Sequence, residues 1–292
     1  MMDINWDEFK VRCSSIRRVL SNSNSNPILT EKQTELLAEL RDKEQVKPLT
    51  KNQAEELAEL AVKEANGKKI ILSDTCIEYL MEEYAFRTEG MIPVSKEAMN
   101  LAAIKKGNMV EGEAIILLTS VDGVFYKVHE PRIYNEYLSG KIDYYAGNDI
   151  MNAERIVDNK ASWDYPIFLK KIHTGLVAGQ REQVQGYMDI TGAPEGFIAN
   201  TLIDCPEEII EDFRWTLARR LNAITVESKE FLEEWRIWER SMKFNHIAPH
   251  KRVNKIKIEP MEDYERQRLY DRVKVCREWL AQFHEMYQKI NL

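Results

Sequence analysis

The tripeptide Asp158-Asn159-Lys160 closes the β-like run Arg155-Ile156-Val157 and sets a carboxylate and an amine two residues apart, on one face of an extended strand. This pairing suits metal-assisted hydrolysis: the carboxylate holds a hard divalent cation, and the lysine holds or deprotonates the attacking water. Two more (D/E)-x-K tripeptides occur, Glu8 to Lys10 and Glu227 to Lys229, so the motif alone also reads as a surface salt bridge at a strand end. Only the middle one follows a β-like run and has an acid, Asp149, upstream after Gly147-Asn148. In this reading two strands joined by a tight turn bring Asp149 and Asp158 together around the cation, with the Asn159 peptide carbonyl as a third oxygen.

Two further pieces stand in an order that suits such a site. Gly107-Asn108-Met109-Val110-Glu111, with Ala114 behind it, puts a carboxylate on a helix before the strands, and Gln183 and Tyr187 lie at i and i+4 on one face of a helix after them. Each alone also reads as an ordinary helix position. With these residues the sequence resembles the PD-(D/E)XK nuclease superfamily, and within it the lambda-exonuclease-like and RecB-like phage-type nucleases. The resemblance runs over residues 70 to 205, with G-x-x-x-E at Gly107/Glu111, D at Asp149, (D/E)-x-K at Asp158/Lys160 and Q-x-x-x-Y at Gln183/Tyr187. Asp stands for the commoner Glu at 158, and no Pro precedes Asp149. The resemblance implies metal-dependent DNA hydrolysis with Mg²⁺ or Mn²⁺ on Asp149 and Asp158, and Glu111 completing the site or holding a second ion. It implies that Lys160 positions the water, while Gln183 and Tyr187 steady Lys160 and the DNA backbone.

Lambda-like exonucleases also carry an Arg and a Ser before a short N-terminal helix, where they help hold a 5′-phosphate end. Arg12-Cys13-Ser14-Ser15, followed by Arg17 and Arg18, matches that pattern, and Leu72-Ser73 is a competing match. A basic helix face is the alternative. A second basic element, Lys243, Lys251, Arg252, Lys255 and Lys257, has no acid between Met242 and Ile258 and suits phosphate contacts made through counterion release; a solvated connector is the other reading.

The elements that must position these residues follow from pattern. The chain has 292 residues, 44% hydrophobic and 30% charged with a net charge of −7, which bounds it as a globular protein with a sizeable core. No apolar stretch nears the roughly 18 residues that span a bilayer, so no membrane association is expected. The four Cys lie far apart with no C-x-x-C pair, which fits a reducing cytoplasm, the bacterial host's if the chain is phage-encoded. Leu29-Thr30-Glu31-Lys32-Gln33 and Leu49-Thr50-Lys51-Asn52-Gln53 begin two similar segments and predict a helical hairpin with Thr30 and Thr50 as caps. Helices are expected from Ser73 to Tyr84 and from Ser95 to Leu118 with a break at Gly107. Strands are expected at 124–128, 142–146, 155–158, 197–203 and 253–258, and helices at 164–172, 180–190, 206–243 and 263–290.

The expected fold class is α/β, a mixed central sheet flanked by helices. Its expected divisions are residues 1–69 (basic segment and hairpin arm), 70–260 (nuclease core with helical extension) and 261–292 (C-terminal helix). The expected activity is a divalent-metal-dependent DNA nuclease, an exonuclease on duplex ends in phage-type recombination or replication. A branched or single-strand endonuclease and a non-cutting DNA-end-binding scaffold are the rivals. Expected partners are DNA, a single-strand annealing protein implied by the resemblance, and further copies of the chain.

Overall fold

The computed structural model describes residues 4–21, 29, 31–67, 70–92 and 101–290, and these group into two compact units. One comprises Lys10–Arg17 and Ile92–Arg266; the other comprises Met1–Phe9, Arg18–Met91 and Gln267–Leu292. The sequence-based division placed residues 70–91 with the core, whereas here they group with the two chain ends.

In the first unit, alternating apolar residues build a five-stranded mixed sheet in the order β2-β5-β6-β7-β8. Its strands are β2 (Lys127–Val128), β5 (Tyr144–Ala146), β6 (Arg155–Ala161), β7 (Glu195–Thr201) and β8 (Val253–Ile258). Within this sheet β6 and β7 pair in parallel and the other neighbours antiparallel, and the crossover between β6 and β7 carries α7 (Tyr165–Thr174) and α8 (Gln180–Thr191). A smaller sheet, β1 (Val11–Arg12), β4 (Leu138–Gly140) and β3 (Ile133–Tyr134), was not anticipated, because strands of two or three residues leave no periodicity to read.

The pleat sends successive side chains to opposite faces. On one face Tyr144, Ala146, Val157 and Ala199 pack against Ala114, Leu117 and Leu118 of α6 (Glu111–Asp122). That leaves Asp158, between Val157 and Asn159, for the face covered by α8. Gly196 of β7 lets α8 come close, since a Cβ there would lie 2.5 Å from Met188 Sδ and 2.6 Å from Val184. The expected helix break falls three residues past Gly107, at Val110, between α5 (Leu101–Met109) and α6. The expected 206–243 region is two helices, α9 (Glu207–Arg220) and α10 (Lys229–Arg240), the second capped by Ser228.

In the second unit α2 (Glu31–Val46) and α3 (Lys51–Gly67) form the expected hairpin around buried Leu37, Leu40 and Leu60. Thr50 and Gln53 make the reciprocal capping box: the Thr50 N–H donates to Gln53 Oε1 at 3.2 Å and the Gln53 N–H to Thr50 Oγ1 at 3.4 Å. Thr30 and Ser95 lie outside the described residues. α4 (Asp74–Glu89), capped by Ser73, lies against α11 (Asp263–Ile290), where Cys76 and Cys276 meet at 3.8 Å. The buried Arg272 of α11 donates to the carbonyls of Val19 and Ser21, tying this helix to the N-terminal segment. No helix among the described residues is long and apolar enough to cross a membrane.

Candidate active site

The antiparallel ladder between β5 and β6 settles which acid faces Asp158. Tyr144 pairs with Val157 and Tyr145 with Ile156, so the position opposite Asp158 is Asp143, on the same face of the sheet. The Asn159 N–H donates to Asp143 Oδ2 at 2.7 Å, where β5 has ended and supplies no backbone acceptor. A strand residue sends its N–H and C=O to the same side, so the Asn159 carbonyl also faces Asp143.

Asp149 is not at this point. It sits in the connection after β5, where its carboxylate accepts the Met151 N–H at 3.4 Å and caps the turn Ile150–Asn152. The β5–β6 connection is wider than a tight turn: Gly147 takes φ +122°, and the Glu154 N–H closes onto the Ala146 carbonyl at 2.9 Å. Asp149 is thereby carried past the strand end, away from the Asp158 position. The signal for Asp143 was its place just before the Tyr144-Tyr145 run, since a ladder that pairs 144 with 157 pairs 143 with 158.

Asp158 is 2% exposed and held from two sides. Gln183 Nε2 donates to its Oδ1 at 2.9 Å and to the Tyr187 hydroxyl at 2.8 Å, so the i, i+4 pair on α8 acts as one bracket. Lys160 Nζ lies 2.7 Å from Oδ2, yet that buried oxygen receives no well-directed hydrogen bond. Burial pushes the Asp158 carboxyl above its ordinary range, with Lys160 opposing. Burial, then the Asp158 charge, pushes Asp143 up to about 7, and Glu111 adds to the rise. Glu111 opens α6, and the Tyr144 hydroxyl donates to its backbone carbonyl at 2.7 Å. The helix that carries Glu111 packs on the face of the sheet opposite α8.

The buried Asp158 carboxylate, with its under-satisfied Oδ2, the half-buried Asp143 carboxylate that it repels and the Asn159 carbonyl form a hard-oxygen donor set that fits a hard divalent cation. Among the described residues no group of three or more His, Cys, Asp or Glu side chains is assembled to hold a metal; a third protein oxygen would have to come from the backbone, where the Asn159 carbonyl is the one on the Asp143 side of β6. The Asn159 side chain is engaged elsewhere, accepting from Thr201 Oγ1 at 2.8 Å.

Sequence reasoning also missed two lysines behind the D-x-K strand. Lys171 of α7 donates to the carbonyls of Lys160 and Ala161 at 3.1 and 3.4 Å, and burial lowers it to about 8. The buried Lys106 donates to Ser162 and Trp163 carbonyls at 3.0 and 2.8 Å.

The N-terminal arginines separate. Segment 10–17 packs on α8, where a Cβ on Gly186 would lie 2.9 Å from Cys13 Sγ; this places Arg12, Ser14 and Ser15 beside the site helix. Arg17 reaches Glu182, next to Gln183, at 3.4 Å. Arg18 belongs to the other unit, in a two-pronged ion pair with Glu82 at 2.6 and 2.9 Å. Ser73, the competing match, caps α4 and bonds to the Ser21 hydroxyl. In the second basic element, Lys243 meets Glu207 and Glu239, Lys255 meets Asp122, and Lys257 meets Glu259. Arg252 donates to Asn245 at 3.0 Å, and Lys251 is exposed.

Solved structures share this arrangement of elements. A phage-related exonuclease from Haemophilus somnus 129PT matches 96% of this chain over 97% of its own at a TM-score of 0.57 and 21% identity. The alkaline exonuclease LHK-Exo from Laribacter hongkongensis matches 97% of this chain over 93% of its own, at a TM-score of 0.52 and 12% identity. The chain has the fold of these exonucleases. A second structure of LHK-Exo, in complex with dAMP, matches 98% of this chain over 95% of its own, with a TM-score of 0.51 and 12% identity. No protein-family model and no curated protein matches the sequence.

Proposed function

We propose that the protein is a divalent-metal-dependent deoxyribonuclease, an exonuclease acting on the ends of duplex DNA. The observation that carries this reading is the apposition of Asp143 and Asp158 across β5 and β6, with Lys160 2.7 Å from Asp158 and Gln183 holding the other oxygen. Asp143, Asp158 and the Asn159 carbonyl would hold Mg²⁺ or Mn²⁺. The cation, when bound, supplies positive charge to the phosphate and lowers the pKa of a coordinated water. Lys160 holds the attacking water in line with the phosphate, Gln183 fixes the Asp158 rotamer, and Tyr187 fixes Gln183. Glu111 adds negative charge on the approach to Asp143. The exonuclease assignment is supported by the fold shared with two exonucleases and by the placement of Arg12, Ser14, Ser15 and Arg17 beside α8, where a terminal 5′-phosphate would be met.

Digestion of linear and covalently closed circular duplex, with Mg²⁺, with Mn²⁺ and with EDTA, tests the proposal. Degradation of the linear form alone, abolished by EDTA, is expected. Cutting of the closed circle would move the assignment to an endonuclease, and no cutting with either cation would remove the nuclease reading.

A further inference from the structure

A groove of about 890 Å³ opens between the N-terminal turn of α7 and the C-terminal half of α10, in the unit that holds Asp158. Its walls combine apolar and cationic groups. Tyr165, Ile237 and Phe244 supply the apolar part, with Phe244 buried against Phe168 and Leu202 as a rigid floor. Tyr165 is 40% exposed and Ile237 is 64% exposed. Arg236 and Arg240, one turn apart on α10, are exposed on the rim, as is His246. Neither arginine has an ion pair or hydrogen bond among the described residues, whereas most cations nearby do: Lys243 meets Glu207 and Glu239, and Lys105 meets Glu208. The acid at the rim, Asp164, is turned to the backbone, accepting the Ile167 N–H at 2.7 Å.

We infer that this groove binds a single strand of DNA adjoining the scissile phosphate, with Arg236 and Arg240 on the phosphates and Tyr165 against a base. Unpaired arginines complement a polyanion, and an exposed aromatic ring beside an apolar wall gives bases a sequence-tolerant stacking surface. The position follows from the chain: Asp164 is four residues beyond Lys160, so the groove begins within about 14 Å of the proposed site. Lys171 ties the same helix to the Lys160 and Ala161 carbonyls, which fixes the groove against the catalytic strand. The inference extends the nuclease reading to its substrate, but the groove uses neither carboxylate and binding can be read without cutting.

The test is fluorescence anisotropy of a labelled oligodeoxythymidylate with the full chain in EDTA over a range of salt. Arg236→Gln/Arg240→Gln keeps both aliphatic stems and is expected to bind about tenfold more weakly at low salt, with a log–log salt slope smaller by about 1.4, roughly 0.7 for each lost phosphate contact. Tyr165→Ala is expected to bind at least about fivefold more weakly with the slope unchanged. Wild-type affinity and slope in the arginine variant, with an unchanged circular-dichroism melt, would overturn the inference, as would a wild-type chain that does not bind the oligonucleotide. Duplex digestion with Mg²⁺, run in parallel, separates the two readings: cutting without oligonucleotide binding removes the groove and keeps the nuclease.

Discussion

Asp143 lies directly across the β5–β6 ladder from Asp158, and the N–H of the residue after Asp158, Asn159, donates to Asp143 Oδ2 at 2.7 Å. The acid in the following connection, Asp149, serves a different purpose, capping a turn. The two acids therefore make opposite predictions.

Asp143→Asn and Asp158→Asn should each lower Mg²⁺-dependent turnover by about a thousandfold or more, the scale of losing several kcal/mol of cation-derived stabilisation. Asp149→Asn should digest linear duplex within about twofold of wild type. Activity lost in the Asp149 variant and kept in the Asp143 variant would reverse the ligand assignment.

Asp143 titrates at about 7, above its ordinary 3.8, so between those values the folded chain holds a proton that the unfolded chain has released. The contribution of Asp143 to stability without divalent cation is therefore fully present below about pH 4 and is lost as pH rises through about 7. Asp143→Asn should flatten this decline and raise Tm at pH 8, by roughly 3 °C for each kcal/mol recovered. Mg²⁺ should restore the wild type by binding the folded state. Thermal melts at several pH values, with EDTA and with Mg²⁺, read all three effects; parallel wild-type and variant curves would show that the pair is not strained.

Gln183 supplies the directed hydrogen bond to Asp158 Oδ1. Gln183→Ala leaves a buried carboxylate oxygen without a donor and should cost about 1–3 kcal/mol of stability. Tyr187→Phe keeps the ring and removes only the hydroxyl that accepts from Gln183, so turnover should fall about tenfold with a smaller change in Tm, a difference of the order of one hydrogen bond. Turnover and melting temperature measured on both variants separate alignment from folding.

Gly140 of β4 lies under the Tyr187 ring, where an added Cβ would come within 2.5 Å of Cε1. Gly140→Ala should destabilise by about 1–3 kcal/mol and lower turnover, since the displaced ring carries the hydroxyl that steadies Gln183. Gly123→Ala meets no atom within 4 Å, but its φ of +64° penalises any side chain, so it should cost stability and leave turnover unchanged. Denaturant titrations paired with digestion rates check the contrast.

The sequence by itself determined where the helical regions lie, though not every break within them, and the pieces of the site that act within one element. Asp158 and Lys160 share a face because a strand has a period of two, and Gln183 and Tyr187 share one because a helix brings i and i+4 together. Both relationships are local and survive any tertiary arrangement. The capping box of Thr50 and Gln53, the limits of β8 and those of α11 were legible for the same reason. Tertiary structure decided what depends on register and long-range neighbours. Asp143 rather than Asp149 faces Asp158 because the width of the connection after β5 sets the ladder, and one residue of slip moves every side chain to the other face. The same holds for charge: a stretch with no acid of its own, residues 243 to 257, receives Asp122, Glu207 and Glu239 from elsewhere in the chain. Arg236 and Arg240, unremarkable in sequence, are left without an ion pair among the described residues because Asp164, the acid that shares their groove, is turned to the Ile167 N–H.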